Sequence, residues 1–206
     1  MAAPIIPRLL AEEDVELVTL GDLNEEKARR LAESDPRLAA SRVDATDSAA
    51  VAELMRQHDL SISYIGPFYR FERPMAQASI EAGRSYVSIC DDYDAYLDVI
   101  TLDEEAREKG VKILTGFGNS PGITQILAKK GYLSMAEPRR INVHWCAGSD
   151  EAVGPSNLAH LFHIFNGTTL QWLDGREVRV KTGRGKKVVE FPPPIGRNPV
   201  RSSAFH

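Results

Sequence analysis

Apolar and polar positions alternate regularly over the first 120 residues of the chain. Short apolar runs predict strands at Val15–Leu20, Leu60–Ile65, Tyr86–Ile89 and Val111–Leu114. A further short strand is predicted to end at Arg42–Val43. The stretches between them have charged residues at helical spacing and predict helices over Glu25–Glu33, from Asp47 or Ser48 to Gln57, over Pro74–Ala82 and over Ala95–Lys109. Strands that alternate with helices predict an α/β fold with a doubly wound, parallel Rossmann-like sheet.

The pattern changes after residue 122. Two helices and one longer strand are predicted at Ile123–Met135, Leu158–Phe165 and Arg140–Cys146. Three runs then follow at hairpin spacing, Leu170–Leu173, Glu177–Val180 and Lys187–Phe191, with turns at Asp174–Gly175 and Gly183–Gly185. We therefore predict a dinucleotide-binding domain over residues 1–122. An α+β domain with antiparallel strands and no packed closure after Phe191 would occupy residues 123–206.

The expected beginning of a dinucleotide-binding sheet is missing from the pattern. Such a sheet begins with a strand, a G-x-G-x-x-G turn and a helix, whereas this chain starts with apolar residues at helical spacing, Ile5, Ile6, Leu9 and Leu10. The missing strand would lie at the centre of the sheet. We expect a chain truncated at both ends, with Met1 and Ala2 inside the glycine-rich turn. The alternative is a chain that evolved without this strand.

The composition narrows the class of protein. The chain has 206 residues, is 43% hydrophobic and 26% charged, and has a net charge of -4, which is typical of a globular protein with no nucleic-acid partner. The basic group around Lys186 is interpreted as a hairpin tip. Two cysteines and no apolar run long enough to span a bilayer indicate a cytoplasmic protein without a membrane contact.

Three residues near the ends of the second and third strands are candidates for binding the adenosine part of a dinucleotide. Asp22 lies where an acidic residue accepts the ribose hydroxyls, and this charge favours NAD over NADP. Asp44 and Ala45 would lie beside the adenine. Helix capping is the alternative role for both aspartates.

Glycine and proline follow two further strands. Gly66, Pro67 and Phe68 end one of them, where the chain passes the pyrophosphate and nicotinamide of a bound cofactor. The loop Gly116–Gly122 follows the strand Val111–Leu114 directly, a pattern typical of a ligand crevice.

Candidate catalytic residues follow the fifth strand. Asp91 and Asp92 could bind an ammonium group or transfer a proton, although Asp92 could instead only cap the next helix. Cys90 is interpreted as a packed side chain rather than a nucleophile.

No metal is predicted. His160 and His163 lie three residues apart on one helix face and His144 lies on the strand before, but no carboxylate or thiolate partner is evident for them. One of these histidines could instead contact the substrate. Arg139, Arg140 and Arg176 could pair with a substrate carboxylate, and nothing in the sequence selects among them.

Several motifs together resemble the saccharopine dehydrogenase (saccharopine reductase) superfamily. They are Val43-Asp-Ala-Thr-Asp47, Ile65-Gly-Pro-Phe68, Ile80-Glu-Ala-Gly83 leading into Tyr86-Val-Ser-Ile-Cys-Asp-Asp92, and Gly116-Phe-Gly-Asn-Ser-Pro-Gly-Ile-Thr124. Each motif alone is weak, and their order and spacing carry the resemblance.

The resemblance implies an NAD(P)-binding Rossmann domain joined to a domain for substrate and dimer contacts. It implies oxidoreduction at a carbon–nitrogen bond of an amino-acid-like substrate, with a homodimer as a plausible assembly. It also implies that Gly118, Pro121 and Gly122 line the crevice. The alternatives are a non-catalytic nucleotide-binding module and an inactive gene fragment.

Overall fold

The computed structural model describes residues 3–144, 146, 148 and 154–201, and it confirms the predicted α/β fold. A 3-10 turn at Ala3–Ile5 precedes eight helices in the described residues. They are α1 Ile6–Leu9, α2 Glu25–Ala32, α3 Ser48–Arg56, α4 Phe68–Ala82, α5 Tyr93–Ile100, α6 Asp103–Glu108, α7 Ile123–Leu133 and α8 Pro155–Ile164.

Nine strands form four small sheets in the same residues. They are β1 Val18–Asp22, β2 Leu38–Arg42, β3 Leu60–Ser63, β4 Ser85–Ser88, β5 Ile113–Leu114, β6 Thr168–Leu173, β7 Arg176–Lys181, β8 Lys187–Phe191 and β9 Gly196–Val200. β1 and β2 pair in parallel, from Val18 opposite Leu38 to Asp22 opposite Arg42. β3, β4 and β5 form a separate sheet in that order, and β1 is not hydrogen-bonded to β3. The predicted place of Met1 and Ala2 lies outside the described residues.

The contacts divide the chain into two compact units. One consists of residues 1–65, 73–87 and 102–113, and the other of residues 66–72, 88–101 and 114–206. The predicted domain boundary after residue 122 stays a prediction. No helix in the described part of the chain is long and apolar enough to cross a membrane.

The helix starts in the first unit follow directly from the sequence. The Asn24 side chain accepts a hydrogen bond from the Lys27 N–H at 3.0 Å and begins α2. The Asp47 side chain accepts from the Ala50 N–H at 3.0 Å and begins α3. Apolar residues on one face of each following helix then fill the core of this unit. They include Val51, Ala52, Met55, Met75, Ala76 and Ile80, all less than 9% exposed.

Two helix predictions were wrong in extent. α4 begins at Phe68 rather than at Pro74, and Pro74 lies inside it. Proline favours a helix start, but here the buried side chains of Phe68 and Glu72 fix the turns before it. The predicted helix Ala95–Lys109 is two helices, because the chain breaks at Thr101 and Leu102. The Thr101 hydroxyl donates to the Asp98 carbonyl at 2.6 Å, and such side-chain bonds compete with the helix.

The second unit contains two antiparallel hairpins. β6 and β7 are joined at Asp174–Gly175, and both turn residues have positive φ, 53° and 76°, as the Asp-Gly pair predicts. β8 pairs with β9, a strand that the sequence did not predict, so the chain after Phe191 does form a pair. The Gly183–Gly185 turn joins β7 to β8, but these strands are not hydrogen-bonded to each other.

One predicted strand is wrong in the residues that the structure describes. Residues 140–144 and Cys146 are not in a strand. Trp145, which belonged to the same prediction, lies outside the described residues. The predicted helices on either side of this segment are present as α7 and α8.

Candidate functional site

A cluster of two carboxylates and one imidazole lies in the second unit. Asp91 and Asp92 follow the end of β4, and His160 lies on α8. The Nδ1 atom of His160 is 2.8 Å from Asp92 Oδ1, and its Nε2 atom is 3.2 Å from Asp91 Oδ2. The Nε2 contact lacks the alignment of a good hydrogen bond, so it is chiefly an attraction between charges. The ring of His160 therefore lies between two carboxylates that come from about 70 residues earlier in the sequence.

Asp92 is the most buried member of this cluster. Its side chain has no exposed surface, and its Oδ2 accepts a hydrogen bond from the Tyr69 N–H at 2.9 Å. Asp92 lies at the N-cap position of α5, but its side chain makes no capping hydrogen bond. The alternative that Asp92 only caps a helix is therefore wrong. A fully buried carboxylate is stable only if it is paired and hydrogen-bonded, and here both oxygens are.

The environment of His160 determines its charge. Burial alone would lower the pKa of His160, but the close contacts and negative charges of Asp91 and Asp92 outweigh burial and raise the pKa to about 9. A pKa of about 9 favours the imidazolium form of the ring at neutral pH. The side chain of His160 is only 14% exposed, so solvent screens these interactions weakly.

A second histidine contact lies beside the first. His163 Nε2 is 3.0 Å from Asp94 Oδ2, and its ring stacks on Tyr69 with the ring centroids 4.3 Å apart. The sequence made no carboxylate partner evident for these histidines, but the structure places Asp91 and Asp92 beside His160 and Asp94 beside His163. Nothing in the sequence links residues 91–94 to residues 160–163, so only folding brings them together.

This arrangement favours a proton over a metal ion. The ligand atoms of Asp91, Asp92 and His160 lie within 4.8 Å of one another, which is a spacing that a cation could bridge. A metal, however, needs a ring nitrogen without a proton. Here both ring nitrogens face carboxylate oxygens, which accept protons and do not donate them. The imidazolium already supplies the positive charge that the two carboxylates require.

A cavity of about 260 Å³ opens beside the cluster. Its lining includes Asp91 and Asp92. It also includes four residues to which we assigned no role from the sequence, Tyr93, Tyr96, Thr115 and Gln125. The Oδ1 atom of Asp91 is buried, and among the described residues it has no hydrogen-bond partner. The hydrogen bonding of the Asp91 carboxylate is therefore incomplete, which is uncommon for a buried acceptor.

Cys90 also lines this cavity, and Glu72 bonds to Thr115, another lining residue. Burial, together with the charge of Glu72, raises the pKa of the Cys90 thiol well above its usual range. Cys90 packs with Phe68, Ala95 and Ile89, as its interpretation as a packed side chain predicted. Glu72 is 1% exposed and accepts hydrogen bonds from Ser88 and from Thr115, the latter at 2.7 Å.

The loop Gly116–Gly122 lies in the second unit and is held by backbone hydrogen bonds at its end. The Gly118 N–H donates to the Pro121 carbonyl at 3.1 Å, and the Ile123 N–H donates to the Gly118 carbonyl at 3.1 Å. Gly122 has a φ of 119°, and a Cβ atom there would lie 2.2 Å from the Gly118 oxygen. Pro121 lines the cavity beside Asp91, whereas Gly118 and Gly122 line a second cavity of about 250 Å³.

The predicted nucleotide contacts are divided between the two units. Asp22 and Asp44 are exposed in the first unit, Asp22 as the last residue of β1 and Asp44 two residues after β2. Asp22 accepts from the Asn24 N–H at 2.8 Å, and Asn24 is the cap, so Asp22 is not the capping residue. Asp44 accepts from the backbone and hydroxyl of Thr46 at 2.9 and 2.7 Å, in the turn that includes Ala45.

Gly66, Pro67 and Phe68 belong to the second unit. Gly66 lies close to Ser156 of α8, since a Cβ atom on this glycine would be 3.6 Å from the Ser156 Cβ. The Phe68 side chain points into the packed cluster around Cys90, so only its backbone is available to a ligand. The cofactor roles of these residues stay predictions.

The residues present fit one part of a dinucleotide. An exposed carboxylate at the carboxyl end of a parallel strand, as at Asp22, suits the hydroxyls of an adenosine ribose. The 206 residues contain no G-x-G-x-x-G sequence, which is the element that usually binds the pyrophosphate. The fit therefore rests on the ribose end of the cofactor.

Fold and site together define a Rossmann-type α/β protein with a cavity in its second unit whose lining includes two carboxylates. Residues 1–114, more than half of the chain, match the family described as saccharopine dehydrogenase NADP binding domain. The chain belongs to this family, so the resemblance found in its motifs is confirmed.

Curated relatives and solved structures agree with this assignment. Saccharopine dehydrogenase-like oxidoreductases of Mus musculus and Rattus norvegicus are 28% and 27% identical over 95 residues, or 44% of this chain. The aligned part spans only 22% of the length of these relatives. Saccharopine dehydrogenase (L-Glu forming) from Saccharomyces cerevisiae, in its apo form, superposes with a TM-score of 0.66 and 19% identity. That match covers 93% of this chain and 45% of the yeast chain, and it shows a shared fold.

Proposed function

We propose that this chain belongs to an NAD(P)-dependent oxidoreductase that acts at a carbon–nitrogen bond of a small amino-acid-like substrate. The observation that carries this proposal is the placement of Asp91 and Asp92, held by His160, on the wall of the cavity. The family match supports the cofactor class. A cavity of about 260 Å³ suits a substrate of a few carbon and nitrogen atoms.

The two carboxylates in the lining of the cavity suit the nitrogen of such a substrate. A bound nicotinamide would exchange a hydride with the carbon of the carbon–nitrogen bond. The protein must then hold or move a proton at the nitrogen. Asp91 lines the cavity, and its carboxylate would accept a proton from an ammonium or iminium group bound there.

Asp22 supports NAD rather than NADP as the cofactor. Its carboxylate is exposed at the end of β1, where it would accept hydrogen bonds from both ribose hydroxyls. A 2′-phosphate at the same place would be repelled by the negative charge.

Binding and turnover are tested separately. Binding of NADH and NADPH to the 206-residue chain is measured by fluorescence titration. Oxidation of each cofactor is then followed with mixtures of amino acids and keto acids or aldehydes that form imines. Asp91→Asn should abolish turnover and leave cofactor binding unchanged, whereas Asp94→Asn is the matched control, because Asp94 contacts His163 outside the cavity lining. Equal turnover of Asp91→Asn and the unmutated chain would remove Asp91 from the mechanism.

A non-catalytic nucleotide-binding module is the second candidate. The exposed carboxylate of Asp22 at the end of β1 favours it, because this residue would bind a nucleotide without any catalytic group. In that case the chain binds a nucleotide through Asp22, and it oxidises neither cofactor with any of the mixtures of amino acids and carbonyl compounds.

A further inference from the structure

The ring of His160 has a carboxylate oxygen at each nitrogen. Nδ1 faces the buried Asp92 at 2.8 Å, and Nε2 faces Asp91 at 3.2 Å. A neutral imidazole donates from only one nitrogen, so its other lone pair would point at a carboxylate. Only the doubly protonated ring makes a favourable contact on both sides.

Both carboxylates depend on His160 to different degrees. Asp92 is also held by the Tyr69 N–H, so it keeps one hydrogen bond if His160 is lost. Among the described residues, the charge contact with His160 is the one that fixes Asp91, whose other oxygen, Oδ1, has no hydrogen-bond partner. Asp91, one of the two carboxylates that line the cavity, is therefore positioned mainly by the charge of His160.

The neighbouring ionisable groups His163, Asp94 and Glu72 have hydrogen-bond partners outside the cluster. His163 pairs with Asp94 and stacks on Tyr69. Glu72 accepts from Ser88 and Thr115 behind Cys90. The cluster of Asp91, Asp92 and His160 thus carries a formal charge of -1 when the ring is protonated and -2 when it is not. A second unpaired negative charge in a half-buried cluster is costly.

We propose that His160 is a positioning residue, and that the site is competent only while the ring of His160 carries both of its protons. This proposal deepens the proposed function and rests on it for the identity of the reaction. Removal of one proton releases Asp91 from Nε2, so the cavity loses an ordered carboxylate. The chain thereby contains a device that switches the site off in alkaline solution.

The direct test measures the ring protons without any enzyme activity. The full chain is labelled with ¹⁵N-histidine, and two-bond proton–nitrogen correlation spectra are recorded from about pH 6 to about pH 10, a range that spans the ordinary and raised pKa values of a histidine. His160→Gln assigns the signals of His160 among the five histidines. We expect both ring nitrogens of His160 to carry protons at about pH 8, and we expect Asp91→Asn to lower the midpoint of its titration by about one pH unit or more. A neutral ring at that pH, or a midpoint that Asp91→Asn does not move, overturns the proposal.

Two substitutions of His160 separate its two contacts. The side-chain amide introduced by His160→Gln can reach toward Asp91 as Nε2 does, and the shorter amide introduced by His160→Asn can reach toward Asp92 as Nδ1 does. Neither carries a charge. We expect both to reduce turnover at about pH 7.5 by at least about tenfold. We also expect the unmutated chain to lose activity near about pH 9, and both variants to lack this loss. His163→Gln is the matched control on the same helix and should keep the profile of the unmutated chain.

Failure of the proposed function gives a different result from failure of this proposal. If the unmutated chain turns over no substrate, the spectra still determine whether His160 is a doubly protonated ring fixed by Asp91. If turnover occurs but His160→Gln keeps both the rate and the alkaline loss, His160 does not position the site. Thermal melts of each variant establish that it is folded before either result is used.

Discussion

Nδ1 of His160 lies 2.8 Å from Oδ1 of Asp92, a carboxylate with no exposed surface that precedes it by 68 residues. This contact fixes helix α8 against the loop that follows β4. The same ring reaches Asp91 on its other side. One side chain therefore determines how two acidic residues are presented to the cavity.

Loss of the Asp92 charge should destabilise the chain. In Asp92→Asn the amide can still accept from the Tyr69 N–H, but it no longer balances the charge of His160. We expect the free energy of unfolding to fall by about 2–4 kcal/mol, measured by urea denaturation at neutral pH. Asp94→Asn is the control, since the Asp94 side chain is 57% exposed and exposed pairs contribute about 1 kcal/mol or less. Equal losses for the two variants would contradict the special role of Asp92.

The stability of the chain should decrease in alkaline solution. The pKa of His160 is raised from 6.5 to about 9 in the folded protein, so the stabilisation is fully present below about pH 6.5 and is lost as the pH rises through about 9. The two values together correspond to a contribution on the order of 3 kcal/mol. Urea denaturation at about pH 7 and about pH 10, on either side of the raised pKa, measures the loss. In His160→Gln the difference between the free energies of unfolding at these two pH values should be smaller by that amount.

The two cysteines should differ greatly in reactivity. Cys90 is 2% exposed, and its thiol has a raised pKa because of burial and the charge of Glu72, whereas Cys146 is exposed. We expect iodoacetamide in mildly alkaline buffer to modify Cys146 at least about 100-fold faster than Cys90, as measured by peptide mass spectrometry. In urea the two cysteines should be modified at equal rates, which serves as the control. Comparable rates of modification in the native protein would show that Cys90 is accessible.

Gly122 should not tolerate a side chain. A Cβ atom there would lie 2.2 Å from the Gly118 oxygen at a φ of 119°, so Gly122→Ala must distort the loop at a cost of about 2 kcal/mol or more. Gly131 lies in α7, and no atom lies within 4 Å of the place that an added Cβ would occupy. Gly131→Ala should raise the free energy of unfolding by about 0.5–1 kcal/mol. Opposite signs in thermal melts of the two variants are the expected result.

The charge of Asp22 should control cofactor preference. Asp22→Ser removes the charge that opposes a 2′-phosphate, so we expect NADPH to bind about tenfold more tightly and NADH more weakly than in the unmutated chain. Fluorescence titration with both cofactors measures the ratio of the two dissociation constants. An unchanged ratio would place the ribose away from Asp22.

Much of the fold could be predicted from the sequence because the signals are local. Asn24 and Asp47 begin helices through hydrogen bonds to residues three positions later, and Asp174–Gly175 forms its turn through backbone preference alone. The failures have the opposite cause. α4 begins before Pro74 because Phe68 and Glu72 are buried against residues distant in the sequence, and β9 exists because it pairs with β8.

The same division holds for the site. The order of residues was enough to show that Asp91 and Asp92 follow a strand end, that His160 and His163 share a helix face, and that four motifs occur in the order typical of the family. The folded chain was needed to show that His160 lies between the two carboxylates and that Asp92 pairs instead of capping α5. Helix periods and strand ends depend on neighbouring residues, whereas the charge and partners of a buried group depend on which distant side chains fold against it.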